Sequence, residues 1–431
     1  VSGTDLSNTG TDRAGPRRSS LRALRHRDFA LFWTAAAISN GGGWMQLVAV
    51  PALLYDLTGS STWLGVASMA GLLPAVFLTP HAGVLADRVS RRRILIITQT
   101  VQMLCAFGLW SLYATDHIRP AWIVAIGLVG GIATGFQTSA WQSFVPLLVP
   151  PEELLDAVKL NSVQFTLARA LGPALAGAVV GTLGTGAAIL INAITYTLVI
   201  AALVVSRPRQ TLSVSGQGRV SEVLREGGRF VWRNRPLRLA VFLAFITSMC
   251  GQSLQHVAPA VAAQIFERPS TDNAGLLVAL GLGALVSSVA SVAVGDRLRR
   301  SQRVLVALAL FALSTALIPL SSNYDLGLVA YFIGGLAHLQ SAVALNTLIQ
   351  GAVPDHLRGR TMSFYVLGIL AGIPLGAFAL GRLGDVLSMR TAVWVDAAVF
   401  ITVAILLVQR GWLRDLDTAK IEDFSPASSP T

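Results

Sequence analysis

From residue 29 to residue 410 the chain alternates long apolar runs with short polar joints. A bilayer's hydrocarbon core is roughly 30 Å thick and a helix rises about 1.5 Å per residue, so about 20 mostly apolar residues span it. The pattern predicts twelve such helices, at 29–55, 62–85, 93–114, 120–149, 157–183, 187–206, 237–265, 274–295, 303–321, 326–352, 361–384 and 391–410. Strands of a membrane barrel would instead alternate apolar and polar positions over about ten residues, and the sequence has no such alternation. The expected class is an all-α membrane protein.

Arginine and lysine in the joints set the orientation, because short cytosolic loops retain them. With the N-terminus in the cytosol, 28 of the 33 basic residues fall on that side. Arg119, Arg268 and Arg390 fall outside, and Arg169 and Arg382 lie within spans. Both termini are then cytosolic, as an even number of spans requires. The expected organisation is a basic cytosolic tail (1–28), a six-helix bundle (29–206), a cytosolic linker (207–236), a second six-helix bundle (237–411) and a cytosolic tail (412–431). The first tail lacks the apolar core and small-residue cleavage site of a signal peptide. In the linker, "SEVLREGGRFVW" fits a short amphipathic helix with Phe230 and Trp232 toward lipid headgroups; a solvated linker fits it equally well.

The two halves repeat. "GVLADRVSRR" has a counterpart in "VAVGDRLRRS", pairing Asp87 with Asp296 and Arg88 with Arg297. "LVPPEELLD" recurs as "GAVPDHLRG", which brings Gln137 and Gln340 into register, and Pro51 pairs with Pro259. Repeats at half-chain spacing are how two related bundles show in a sequence.

Composition narrows the class further. The chain is 53% hydrophobic and 13% charged, where soluble domains carry about a quarter charged residues. Its net charge of +11 gathers at span ends, so it marks a membrane boundary and not a nucleic-acid surface. Cys105 and Cys250 both lie in apolar runs, which excludes a disulfide framework or a cysteine-rich metal site. The six histidines are scattered, and there is no His-x-x-x-His, Gly-x-Ser-x-Gly or Walker sequence. No enzyme, direct use of ATP, cofactor or metal site is expected.

One joint is unusual. "GVLADRVSRRR" (83–93) packs one acid and four arginines between two uncharged segments. Gly83, Leu85, Ala86, Asp87, Arg88, Arg91 and Arg92 resemble the signature of the major facilitator superfamily, with Ser90 at its second glycine. "LYDLTGSSTWLGVAS", "VPPEELLDAVKLNS", "ARALGPALAG" and "VPDHLRGRTMSFY" are similar to its exporter branch, which includes the enterobactin exporter and macrolide or multidrug efflux proteins. The resemblance runs from about 28 to 411 and implies two six-helix bundles related by a pseudo-two-fold. It implies that Asp87 meets the N-terminus of span eleven near Arg360 and Thr361, where a carboxylate is favoured, latching the outward-open state. Asp296 and Arg297 would form the mirror latch near span five. The plain alternative is that these charges only set topology.

Ionisable groups at bilayer depth are costly. Arg169, about 18 Å into span five, faces either the central cavity or a neighbouring helix beside Gly172 and Pro173. Asp396, then His256 and His338, are the candidates for carrying a coupling proton; each has a structural alternative as a hydrogen-bonded packing residue. Span one has no titratable group between Trp33 and Tyr55. It offers Asn40, Met45 and Gln46 after the helix-loosening glycines 41–43, and these with Gln137, Trp141, Gln252, Gln255 and Gln340 would line a neutral cavity or join helices. The expected function is a secondary active, proton-coupled exporter of small drug-like or siderophore-like amphiphiles, monomeric in the bacterial inner membrane. A lipid or lysolipid flippase, an importer, and a transport-inactive scaffold are the alternatives.

Overall fold

The computed structural model describes residues 20–208, 220–294 and 299–418, and every regular element among them is helical. The helices are α1 (Arg27–Thr58), α2 (Ser61–Arg88), α3 (Arg91–Ala114), α4 (Pro120–Phe144), α5 (Leu154–Val205), α6 (Val220–Arg233) and α7 (Arg235–Ile246). The second part of the chain continues with α8 (Ala258–Gln264), α9 (Asn273–Val294), α10 (Arg300–Leu317), α11 (Tyr324–Ala352), α12 (Asp355–Val386), α13 (Met389–Gln409) and α14 (Trp412–Thr418). Ten helical stretches among the described residues are long and apolar enough to cross a membrane. Asn40, Gln46 and three glycines dilute the apolar run of α1, which is not among the ten.

One of the ten, Pro151–Val205, has 55 residues, about 80 Å of helix and far more than one bilayer needs. It doubles back at Gly184, whose φ of 84° and ψ of 170° are a conformation open essentially to glycine alone. A second break lies after α7, where Thr247–Gly251 widens to a π-helix and Gln252–Gln255 tightens to a 3-10 turn before α8. Such departures leave polar backbone and side chains free to face a cavity. Glycines 41–43 were expected to loosen the first span, but α1 runs through them unbroken. Gly42 instead permits close packing on α5: a Cβ there would stand 2.6 Å from Thr195 Oγ1.

Within the first half, α1 packs along α5, α2 along α4, and α3 along both α4 and α5; within the second, α11 packs along α9 and α10, and α10 along α13. Two helix pairs make most of the contact between the halves among the described residues, α2 with α12 and α5 with α9, and α1 adds contacts with α8 and α9. One end of the molecule carries most of the charge. There His26 meets Glu153 at 2.9 Å, Arg235 meets Asp415 at 3.1 Å, and Asp417 accepts from Ser301. This is the basic end; Tyr55, Ser61, Gly184, Gln264 and Asp385 lie at the opposite end.

Gly184→Ala lowers the thermal unfolding midpoint in detergent, through backbone strain of about 1–3 kcal/mol. Gly181→Ala, whose added Cβ meets nothing within 4 Å, leaves the midpoint unchanged or raises it. Equal midpoints for the two variants would contradict the role of Gly184 as the turning point.

Candidate functional site

Three hollows that share lining residues form a passage, the first lined by the first half alone and the other two by both halves. The largest, about 550 Å³, is lined by Asn40, Gln137, Thr138, Trp141, Gln142, Asn161 and Phe165, and reaches Val145 and Pro146 in the turn at the basic end. A second, about 430 Å³, shares Asn40 and Phe165 with it and adds Trp44, Arg169 and Ser288. A narrow third continues from Trp44 and Arg169 to Gln252, Gln255, Phe311 and His338. The backbone places these groups: Gly172 leaves room for the Trp44 indole, and a Cβ at Gly281 would stand 2.7 Å from the Arg169 carbonyl oxygen. Arg169 therefore sits at a close approach of α5 and α9.

Arg169 Nη1 donates to His338 Nε2 across 2.9 Å, linking the two halves through a neutral imidazole that accepts. The guanidinium forms no ion pair among the described residues. Nearby, Asn40 Nδ2, Gln137 Oε1 and Trp141 Nε1 are buried without a hydrogen-bond partner among the described residues. Unpaired buried polar atoms cost about 1–3 kcal/mol each.

The opposite end is sealed. The Asp385 carboxylate, at the end of α12, accepts from Ser60 Oγ at 2.5 Å and from the backbone N–H groups of Ser61 and Thr62 at 2.7 and 2.9 Å. It thus sits on the first turn of α2, where unpaired N–H groups and the helix dipole favour an anion. Gln264 adds bonds to Tyr55 and Ser61, and Asn273 donates to the Val48 carbonyl at 3.1 Å. Gly65 and Gly381 allow the approach, since a Cβ at either would collide with backbone of the partner helix. Sequence reasoning missed Asp385. A signal was present: α12 ends on Gly381-Arg-Leu-Gly-Asp385, the same Gly-x-Leu-small-Asp that α2 carries at Gly83–Asp87.

The expected site residues divide. Asn40, Gln137, Trp141, Arg169, Gln252, Gln255 and His338 line the passage. Met45 packs into apolar clusters, Gln46 accepts from Asn192 at 2.5 Å, and Gln340 donates to Ser291 at 3.2 Å; these contacts join helices, and none of the three lines the hollows described. Asp396 is buried against Cys250 with Oδ2 unpaired among the described residues, and His256 lies beside Gln255 at 3.5 Å; neither lines the passage.

The basic-end latch is revised in part. Arg91 donates to the Ser143 carbonyl at 3.4 Å, and Arg92 to the carbonyls of Leu203 (2.6 Å) and Val204. Both stay within the first half, because helix C-termini present unpaired carbonyls that arginine satisfies. Arg360 pairs with Glu226 of the linker helix α6. Gly83, Asp87 and Arg88 lie in the last turns of α2, but their side chains are outside the described positions, and Asp296 and Arg297 lie outside the described residues.

A paired-helix membrane protein with a central passage, sealed at one end by contacts between its halves, is built as a major facilitator transporter. The sequence profile of the transmembrane secretion effector family matches residues 18–430, and the chain belongs to that family. It is similar to the multidrug efflux pump Tap of Mycolicibacterium fortuitum, at 24% identity over 89% of this chain and 96% of that one. It is 21% identical to macrolide efflux protein A of Streptococcus pyogenes, over 90% of this chain and 97% of that one. The solved nucleoside transporter NupG shares the fold, with a TM-score of 0.71 at 10% identity, covering 89% of this chain and 98% of that one.

Arg92→Gln lowers the thermal unfolding midpoint by removing charge-assisted bonds worth about 1.5–3 kcal/mol each. Because both partners lie in one half, spin-label distances between the halves stay unchanged; an altered distance with an unaltered midpoint would return Arg92 to the latch.

Proposed function

We propose that this protein is a secondary active exporter of small amphipathic molecules. It works by alternating access in the bacterial cytoplasmic membrane, with both termini in the cytosol. The observation that carries the reading is the passage itself: it reaches the basic end, and none of the residues that seal the opposite end, Ser60, Ser61, Thr62 and Asp385, lines it. Twelve crossings in two six-helix bundles follow when α1 counts as one, the two arms of α5 as two, and α7 through α8 as one. The arginine bias toward the basic end supports a cytosolic assignment for it. The names of the similar efflux proteins support outward transport of drugs.

Rocking needs contacts that one end makes as the other loses them. α2 and α12 run antiparallel and each ends on Gly-x-Leu-small-Asp, so Asp87 would dock on the start of α12 as Asp385 docks on the start of α2. Each contact is worth about 1 kcal/mol, small enough to exchange. A proton gradient drives the cycle in this reading. Of the three proton candidates His338 is placed best, since it alone lines the passage and bonds across the halves. A second reading, movement of a lipid-like molecule, draws on a groove of about 910 Å³ lined by Phe77, Trp232, Phe242 and Phe364, almost wholly apolar.

Everted vesicles with an imposed pH gradient test the reading. Gradient-driven accumulation of an amphipathic dye is expected for the native chain and for Asp396→Asn, and its loss for His338→Gln. Accumulation that ignores the gradient would exclude proton coupling, and loss with Asp396→Asn alone would move the proton to that carboxylate.

A further inference from the structure

The passage is lined by one charged residue. Among its described lining residues there is no aspartate or glutamate, and Arg169 is the one group with a permanent charge. His338 takes one of its hydrogen bonds, and no other is formed among the described residues. A guanidinium carries five N–H donors in a planar fork, so most of them have no partner among the described residues.

We propose that the passage selects amphipathic anions, molecules with a flat apolar body and a carboxylate or similar acidic group. The proposal rests on the reading of this passage as the transport site and names the class of molecule it takes. Electrostatics set the sign. Charges interact more strongly away from bulk water, and a cation entering here would meet Arg169 with no counter-ion. An acid would neutralise it through two parallel N–H···O bonds, the geometry in which arginine binds carboxylates. Trp44 and Phe165 flank Arg169 in the same hollow and offer flat apolar faces to the body of such a molecule. Asp396, the buried acid of the second half, lies outside this lining and gives a cationic ligand no partner there.

Three probes of one shape decide the matter: pyrenebutyrate, pyrenebutanol and pyrenebutylammonium. Binding to the purified chain in lipid nanodiscs is read by energy transfer from tryptophan to pyrene, after subtraction of empty nanodiscs. Pyrenebutyrate is expected to bind about tenfold or more tightly than the other two, the effect of hydrogen bonds to a charged group. Arg169→Gln is expected to abolish that order, and Arg169→Lys to retain part of it. Equal binding of the three by the native chain, tighter binding of the ammonium, or an order that survives Arg169→Gln would overturn the proposal. The native order decides it even where Arg169→Gln fails to fold. Everted vesicles keep the two readings apart. Pyrenebutyrate bound but never accumulated would overturn export and leave the selectivity standing, whereas accumulation of the ammonium with exclusion of the butyrate would do the reverse.

Discussion

Helix ends are the constraint on which this structure depends. Each helix leaves four N–H groups and four carbonyls unpaired, and within or beside a bilayer little water is available to satisfy them. The chain answers with charged side chains carried by other helices. Arg92 binds the last carbonyls of α5, and Arg390 binds the carbonyls of Pro319 and Ile265. Asp385 binds the first N–H groups of α2. The two arginines work within one half and hold it rigid. Asp385 works between halves, so the same chemistry becomes a contact that motion can break.

The interior follows the opposite rule. Close helix contacts are made by small residues, as at Gly42, Gly65 and Gly281, because lipid tails give helices no hydrophobic reason to prefer one another. Polar side chains either tie helices together, as Gln46 and Asn192 do, or remain unpaired along the passage. A guanidinium at membrane depth with one neutral partner is tolerable only where a cavity lets water or a ligand reach it. The cost of Arg169 and the selectivity proposed for the passage are thus one fact viewed from two sides.

Much of the architecture was legible in the sequence, since membrane helices announce themselves by length and uniform apolarity. The positions of α2, α3, α9 and α13 lie within a few residues of the expected spans. The site was legible only in kind. Asn40 and Gln46 stand six residues apart in one helix, yet one lines the passage and the other accepts from Asn192; sequence shows that a polar residue is buried but not which neighbour faces it. The Arg169–His338 bond joins residues 169 positions apart and leaves no local trace. Asp385 left one, in the repeated Gly-x-Leu-small-Asp. It falls at a helix end, where an acid costs little and so draws no notice.

The central claim is that the two ends of the α2–α12 pair open and close in opposition, each held by one carboxylate. Spin-label distances measured in lipid nanodiscs test it most directly, with Cys105 and Cys250 replaced by alanine. One pair, at Leu57 and Leu387, reports the opposite end; another, at Leu155 and Gln350, reports the basic end. Asp385→Asn should lengthen the first distance and shorten the second, by moving about fivefold in population for each kcal/mol lost, and Asp87→Asn should do the reverse. Distances at both ends that lengthen together, or that neither substitution changes, would contradict the account.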